Sequence, residues 1–162
     1  MKLFIPDKKI DSVFSLDFDK LKNLGIRGII FDIDNTLESH HVPEPSDEIK
    51  NLLEKVKALG FSVCLISNGK EPRVELFNRS LLLPAVGNAK KPLKKNLRLA
   101  MQLLNTAKNE TALVGDQIFT DVFGGNRMGF YTVLVNPIEQ IENKFFYIKR
   151  FFERMILKNI KE

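Results

Sequence analysis

Residues 28–36 have the sequence Gly28-Ile29-Ile30-Phe31-Asp32-Ile33-Asp34-Asn35-Thr36, an apolar run that ends in two carboxylates. The apolar part is short, continuous and β-branched, which is typical of a strand buried on both faces of a parallel sheet. The strand is expected to end at Asp32, where the polar segment begins. This stretch therefore predicts an α/β protein with polar groups at the carboxyl end of a core strand.

Further strands and helices alternate along the chain. Similar apolar runs predict strands at residues 61–66, 111–114 and 131–135, with a short strand at 85–86. Helical patterns lie between them at residues 46–60, 71–80 and 93–106, the first with Ser46 as N-cap and Gly60 as C-cap. This alternation predicts a parallel sheet flanked by helices. Residues 124–129 lack the strand and glycine spacing of a dinucleotide loop and are predicted to form turns.

Length and composition favour one intracellular domain. The chain has 162 residues, 44% hydrophobic and 28% charged, which suits a single domain over 1–162. Residues 1–24 are predicted to be an N-terminal extension, and residues 138–162 to hold a C-terminal amphipathic helix. The single cysteine, Cys64, excludes a disulfide framework and is expected to be a small core residue. No apolar stretch suits a signal peptide or a membrane span, so a cytoplasmic location is expected.

Polar residues follow each predicted strand. Ligands of open parallel sheets bind outside the carboxyl ends of the strands, so these residues are expected to converge on one site. They are Asp32, Asp34, Ser67, Asn68, Lys90, Lys91, Asp116 and Asp121.

The carboxylates in this set indicate a metal site. Asp32 and Asp34 lie close together, and their repulsion is relieved by a hard divalent cation such as Mg²⁺. Asp32, Asp116 and the backbone carbonyl of Asp34 are candidate ligands, and Asp121 is expected at or just behind them. Such a cation would reduce the repulsion between a phosphate and Asp32, which makes Asp32 a candidate nucleophile.

The remaining polar groups suit phosphoryl transfer. Asp34 is positioned to protonate the leaving alcohol and then to activate water, as a general acid and base. Ser67, Asn68 and a lysine would bind the phosphate oxygens. On the residues alone, either Lys90 or Lys91 could supply the lysine.

The four elements resemble the motifs of the haloacid-dehalogenase-like (HAD) phosphatases. The resemblance covers residues 32–37, Ser67, Lys91-Pro92 and 115–121. It implies a Rossmann-like sheet, Asp32 as nucleophile, Asp34 as acid and base, Ser67 and Lys91 as phosphate ligands, and Asp116 with Asp121 for Mg²⁺. The gaps between the motifs are too short for a folded cap domain, so an open site is expected.

A closer resemblance is to the YqeG family of subclass IIIA. It rests on residues 25–28, 67–69, 89–92 and 120–127, with Gly69 where the family usually has Asn. This family is related to mitochondrial phosphatidylglycerophosphate phosphatase, which implies a lipid phosphate substrate.

Two functional alternatives remain open on the sequence. The chain could hydrolyse small soluble phosphate esters, or it could be a non-catalytic module whose net charge of +5 suits RNA or ribosomes, although the intact motifs argue against nucleic acid. His40 and His41 are expected to be surface or substrate-rim residues.

The C-terminal helix is predicted to have two faces. It could lie at an anionic membrane surface or pack on the protein itself. Its predicted apolar face is Phe145, Ile148, Phe152, Met155 and Ile156, and its predicted basic face is Arg150, Arg154, Lys158 and Lys161.

Overall fold

A six-stranded parallel sheet forms the centre of the protein. The computed structural model describes residues 2–139 and 144–158, with the backbone alone for 144–149. The strand order is β1-β6-β5-β2-β3-β4. The strands are β1 Lys8–Ile10, β2 Gly28–Asp32, β3 Ser62–Ile66, β4 Ala85–Val86, β5 Thr111–Gly115 and β6 Tyr131–Val135. The helices are α1 Phe18–Asn23, α2 Asp47–Ala58, α3 Glu71–Asn78, α4 Lys94–Leu104, α5 Phe123–Met128 and α6 Lys144–Lys158.

Strand β2 lies inside the sheet, between β3 and β5. Asp32 is in register with Ile66 of β3, and Phe31 with Val114 of β5. Because all three strands are parallel, their carboxyl ends lie side by side. The predicted α/β class with a parallel sheet is confirmed, and this register brings three of the four sequence motifs to one edge.

Alternate residues of the strands face two separate cores. Ile29 and Phe31 are buried with α1, α2 and α3 on one face, whereas Ile30, Cys64 and Ile66 are buried with α4 on the other. Continuous apolar strands are what a sheet covered on both faces requires. At roughly 25 cal/mol for each Å² of apolar surface, burial of these side chains is the main stabilising contribution.

The predicted helix ends of α2 are confirmed. The Ser46 side chain accepts a hydrogen bond from the Ile49 N–H at 3.3 Å. Such an N-cap contributes about 1 kcal/mol. Gly60 follows the helix with φ of +98°, a conformation that favours glycine.

Two segments differ from the sequence predictions. The N-terminal extension contributes β1, which pairs with β6 and makes it an interior strand. Residues 124–129 were predicted to be turns, but α5 runs through them. Gly124 and Gly125 serve close packing there, since a Cβ at Gly124 would lie 2.9 Å from Leu97 Cδ1, and one at Gly125 would lie 2.6 Å from Thr132 Cγ2.

The predicted faces of the C-terminal helix are also corrected. Arg150, placed on the basic face by the helical pattern, points into the protein, and Glu153 is buried beside it. Phe152 and Met155, predicted to share an apolar face with Ile156, are about half exposed, and only Ile156 of the described apolar set packs inward. The side chains of Phe145 and Ile148, and residue Lys161, lie outside the described residues.

Neither of the two loops at the site edge of the sheet holds a folded domain. Residues 33–46 contain only an isolated bridge between Asp34 and Glu38, and residues 67–90 contain only α3 and β4. In residues 2–139 and 144–158, no helix is both long enough and apolar enough to cross a bilayer.

Candidate active site

Three buried carboxylates form the centre of the site. Asp32 is the last residue of β2, Asp116 directly follows β5, and Asp121 lies in the π-helical turn Ile118–Val122. All three are at most 5% exposed, and they offer oxygen atoms that lie within 4.8 Å of one another. The parallel register thus brings together carboxylates that are far apart in the chain.

Lys91 lies between two of these carboxylates. Its Nζ donates to Asp32 Oδ1 at 2.7 Å and to Asp121 Oδ1 at 2.6 Å. Burial alone would lower the pKa of Lys91, but Asp121 and Asp32 outweigh it and raise that pKa, so the ammonium stays charged. Lys90 is exposed and borders a groove between α3 and α4. Of the two candidate lysines, Lys91 is the one beside Asp32.

Burial and mutual repulsion make the cluster electrostatically strained. Burial raises the pKa of Asp32 to about 6, with Asp121 adding to the rise and Lys91 opposing it. The pKa of Asp116 is raised well above its ordinary value, first by burial and then by Asp32 and Asp121, against the opposing charge of Arg150. A set of three carboxylates that lie this close suits a hard divalent cation, which prefers oxygen ligands and offsets their repulsion.

Asp34 has more open surroundings than the three clustered carboxylates. Its side chain is 30% exposed and is not one of the three clustered ligands. Ser67 Oγ donates to Asp34 Oδ2 at 3.0 Å, and the Gly69 N–H donates to Ser67 Oγ at 2.9 Å. Asp34 is thus oriented at the open side of the site, next to the Asp32 strand end.

Asn68 holds the lysine segment in place. Its Oδ1 accepts from the Lys91 N–H at 2.7 Å, and its Nδ2 donates to the Lys91 carbonyl at 3.4 Å. The side chain thereby ties the loop after β3 to the loop after β4. The phosphate contact predicted for Asn68 stays a prediction.

Comparison with known proteins identifies the family. The family model described as mitochondrial PGP phosphatase matches residues 1–139. The probable phosphatase YqeG of Bacillus subtilis is 36% identical over 160 residues, covering 99% of this chain and 93% of that protein. The chain belongs to the mitochondrial PGP phosphatase family.

More distant relatives agree with this assignment. Phosphatidylglycerophosphate phosphatase 1 of Arabidopsis thaliana is 25% identical over 150 residues, covering 87% of this chain but 43% of the plant protein. The HAD phosphatase from Thermococcus onnurineus has the same fold, with a TM-score of 0.51 at 14% identity over 74% of this chain and 90% of that one. This member of the PGP phosphatase family is an enzyme, a phosphatase.

Two residues of this PGP phosphatase-family chain shape the cluster although the motifs assigned them no role. Thr36 Oγ1 donates to Asp32 Oδ2 at 2.9 Å and lies 3.4 Å from Asp116 Oδ1. A Cβ built on Gly115 would overlap the carboxyl group of Asp121, so glycine is needed for this close approach. Both residues belong to the recognised motifs, so the signal was present in the sequence.

Two arginines were also missed. The Nη2 of Arg73, on α3, lies 3.4 Å from Asp34 Oδ1, and the Nη1 of Arg73 donates to the Pro43 carbonyl at 3.2 Å. Arg150 of α6 donates from Nη2 to Asp116 Oδ2 and from Nη1 to the Asp116 carbonyl, each at 3.1 Å. No local sequence pattern distinguishes these arginines from surface cations.

Three further residues with predicted positions, His40, His41 and Cys64, are found where the sequence placed them. Both histidines are exposed, and His41 Nε2 lies 3.4 Å from Glu139 Oε2. Cys64 is buried, as predicted for a core residue, and burial raises the pKa of its thiol to about 12. The histidines thus lie on the surface, and the thiol stays protonated at neutral pH.

Proposed function

We propose that this enzyme is a Mg²⁺-dependent phosphomonoesterase that uses Asp32 as nucleophile and acts on the lipid phosphatidylglycerophosphate. The observation that carries the proposal is the buried group of Asp32, Asp116 and Asp121 with Lys91 inserted among them. Asp34, held by Ser67 two residues after the nucleophile, completes the set.

In the first step, a carboxylate oxygen of Asp32 attacks phosphorus and the bond from phosphorus to the alcohol oxygen breaks. Asp34 donates its proton to that oxygen, so a neutral alcohol leaves. Lys91 offsets the charge of the phosphate and of Asp32. The product of the step is an aspartyl-phosphate on Asp32.

In the second step, Asp34, now ionised, takes a proton from water. The water oxygen attacks phosphorus and the bond to Asp32 breaks, which releases inorganic phosphate and restores both carboxyl groups. The partial exposure of Asp34 supports this role, because the group must meet both alcohol and water.

Asp32 and Asp116 are the proposed side-chain ligands of Mg²⁺, with the Asp34 carbonyl and Asp121 completing the protein contribution. When bound, the cation would neutralise charge on the phosphate and orient it for in-line attack. The all-oxygen donor set favours Mg²⁺ over softer metals.

A lipid substrate is supported by two independent facts. The relatives from Arabidopsis thaliana and from the alga Chlamydomonas reinhardtii are phosphatidylglycerophosphate phosphatases by name. The site also lies at an edge with no cap domain, so a phosphate at a membrane surface could reach it without a lid having to move.

In this proposal, helix α6 contacts the membrane. Phe151, Phe152 and Met155 are 61%, 49% and 49% exposed, and Arg154 and Lys158 are exposed on the same helix. Apolar side chains flanked by cations favour an anionic lipid interface. The proposed location is cytoplasmic and peripheral to the membrane.

The test is a substrate panel with Mg²⁺ present. Phosphate release is measured from phosphatidylglycerophosphate in vesicles, from small soluble phosphate esters and from an aryl phosphate. We expect the highest kcat/KM on the lipid. A clear preference for a soluble ester would contradict the lipid substrate while leaving the phosphatase chemistry intact, and no release from any substrate would contradict both.

A further inference from the structure

Arg150 reaches the catalytic cluster from an element that carries none of the four motifs. Its guanidinium grips Asp116 at two points, the side-chain Oδ2 and the backbone carbonyl, each at 3.1 Å. A planar guanidinium held at two points fixes the orientation of its partner more tightly than a single ammonium contact does. Because Arg150 binds Oδ2, the other carboxylate oxygen of Asp116, Oδ1, faces Thr36, which also contacts Asp32.

We infer that Arg150 is a positioning residue, which holds Asp116 with one carboxylate oxygen directed toward the cation site. The inference rests on the proposed function, in which Asp116 is a Mg²⁺ ligand. Metal ligands are commonly oriented by such outer contacts, and their loss weakens metal binding.

Glu153 fixes Arg150 in this position. Its side chain is 3% exposed, and both carboxylate oxygens are engaged. Oε2 accepts from Arg150 Nη1 at 2.8 Å, and Oε1 accepts from the Ile118 N–H at 3.2 Å. Because Ile118 begins the turn that carries Asp121, Glu153 connects α6 to two of the three clustered carboxylates.

The apolar side of the same helix anchors this arrangement. Ile156 and Leu157 pack against Ile118, Val122 and Leu134. The inward face of α6 thus carries the polar pair Arg150 and Glu153, followed by the apolar pair Ile156 and Leu157. This face packs against the segment around Asp116 and Asp121. A helix that packed only for stability would not need an inward-pointing arginine and a buried glutamate beside the carboxylate cluster.

The charges in the cluster agree with this role. Four carboxylates, Asp32, Asp116, Asp121 and Glu153, face two cations, Lys91 and Arg150. When all are ionised, this group has a net charge of −2, which still attracts a divalent cation. Arg150 therefore limits the repulsion among the carboxylates without cancelling the attraction for Mg²⁺.

The experiment compares full-length wild type with Arg150→Ala, Arg150→Lys and Glu153→Gln. Arg98→Ala is the matched control, because Arg98 is an exposed arginine of helix α4. Mg²⁺ is titrated while the melting temperature is followed, and kcat and KM for an aryl phosphate are measured at each Mg²⁺ concentration. The first readout does not depend on turnover.

For Arg150→Ala, we expect the Mg²⁺ concentration for half-maximal stabilisation to rise about 10–100-fold. Saturating Mg²⁺ should recover much of kcat, with KM nearly unchanged. Arg150→Lys and Glu153→Gln should shift the Mg²⁺ midpoint in the same direction but less, and Arg98→Ala should not shift it. If Arg150→Ala does not fold, the two milder variants carry the test.

Two results would overturn the inference while wild type still binds Mg²⁺ and turns over. One is a lower melting temperature with an unchanged Mg²⁺ midpoint, which would make Arg150 purely structural. The other is tighter Mg²⁺ binding in Arg150→Ala, which would mean that the arginine obstructs the cation. If Mg²⁺ neither stabilises nor activates wild type, the proposed function fails, and the inference with it.

Discussion

Asp32 and Asp34 lie two residues apart but have different surroundings. Asp32 is buried against the Lys91 ammonium, whereas Asp34 is partly exposed and accepts from Ser67. The difference follows from the strand, because Asp32 ends β2 inside the sheet and Asp34 lies in the loop beyond it. The two carboxylates therefore suit different roles in one reaction, a nucleophile and a proton carrier.

Asp34→Asn should slow the enzyme in a way that depends on the leaving group. An alkyl alcohol needs a proton as it leaves, whereas an aryl alcohol leaves readily without one. We expect kcat/KM to fall by about 10²–10⁴-fold for alkyl phosphates and by less for aryl phosphates. Steady-state kinetics over a series of esters tests this, and equal losses across the series would exclude Asp34 as the acid.

Lys91→Ala should damage both stability and turnover. The change leaves Asp32 and Asp121 buried without their shared cation, and removing one partner of a buried ion pair costs about 3–5 kcal/mol. Lys90→Ala is the matched control and should change the free energy of unfolding by no more than about 0.5 kcal/mol. Urea unfolding and phosphate release measure the two effects. Equal effects of the two substitutions would contradict the assignment of Lys91.

Cys64 should be unreactive in the folded enzyme. Burial raises the pKa of its thiol to about 12, so almost no thiolate is present at pH 8, and the side chain is fully buried. A disulfide reagent at pH 8 should therefore modify the chain only in denaturant, where one thiol per chain reacts. Fast modification of the native enzyme would contradict the buried position.

At the scale of elements, periodicity predicted the parts of the chain whose structure is local. Strand β2 and helix α2 carry their own signals, a continuous apolar run and a capped amphipathic pattern. Strand β1 is three residues long and α5 begins with two adjacent glycines in its first turn, so neither has a local signal. Strand β1 depends on pairing with β6, and α5 depends on the close packing of its glycines against α4 and β6. Local sequence patterns do not contain this information.

Helix α6 shows why a helical plot alone assigned the wrong faces. The plot placed Arg150 on the basic face and put Phe152 and Ile156 on one apolar face, but Arg150 has a buried carboxylate partner, and Phe152 is about half exposed whereas Ile156 packs inward. A charged residue is buried when the fold supplies its counter-charge. Of the two counter-charges of Arg150, Asp116 is 34 residues away in the chain, and Glu153 is on the same helix but is itself held by the distant Ile118 N–H.

The exposed apolar face of α6 should mediate vesicle binding. Replacing Phe151, Phe152 and Met155 by serine removes the side chains that would enter the interface. We expect weaker sedimentation with anionic vesicles and slower lipid turnover, with melting temperature and aryl-phosphate hydrolysis nearly unchanged. Leu82→Ser is the control, because Leu82 is an exposed apolar residue elsewhere on the surface. Unchanged vesicle binding would exclude this face from the interface.

At the scale of the whole molecule, the sheet register positions the site. Asp32, Ser67 and Asp116 follow three adjacent parallel strands, so their convergence was predictable from the strand ends. The contributions of Arg73 and Arg150 were not, because they depend on how α3 and α6 pack. The sequence therefore predicted which residues meet at this edge of the sheet, and the structure adds two arginines that contact them, while the catalytic roles stay predictions.

Removal of divalent metal should abolish turnover without unfolding the protein. Excess chelator should stop phosphate release, and Mg²⁺ should restore it and raise the melting temperature, because a ligand of the folded state stabilises that state. Unfolding is monitored in parallel by circular dichroism. Full activity in excess chelator would contradict the assignment of Asp32, Asp116 and Asp121 as a cation site.

Trapping the phosphoryl group on the enzyme tests the central claim most directly. Asp34→Asn is mixed with a ³²P-labelled aryl phosphate and quenched in acid, because this variant should form the intermediate from a good leaving group but hydrolyse it slowly. We predict a hydroxylamine-sensitive label on the peptide that contains Asp32, and none when Asp32→Asn is added to the variant. Turnover with no label, or a label that persists without Asp32, would contradict the account.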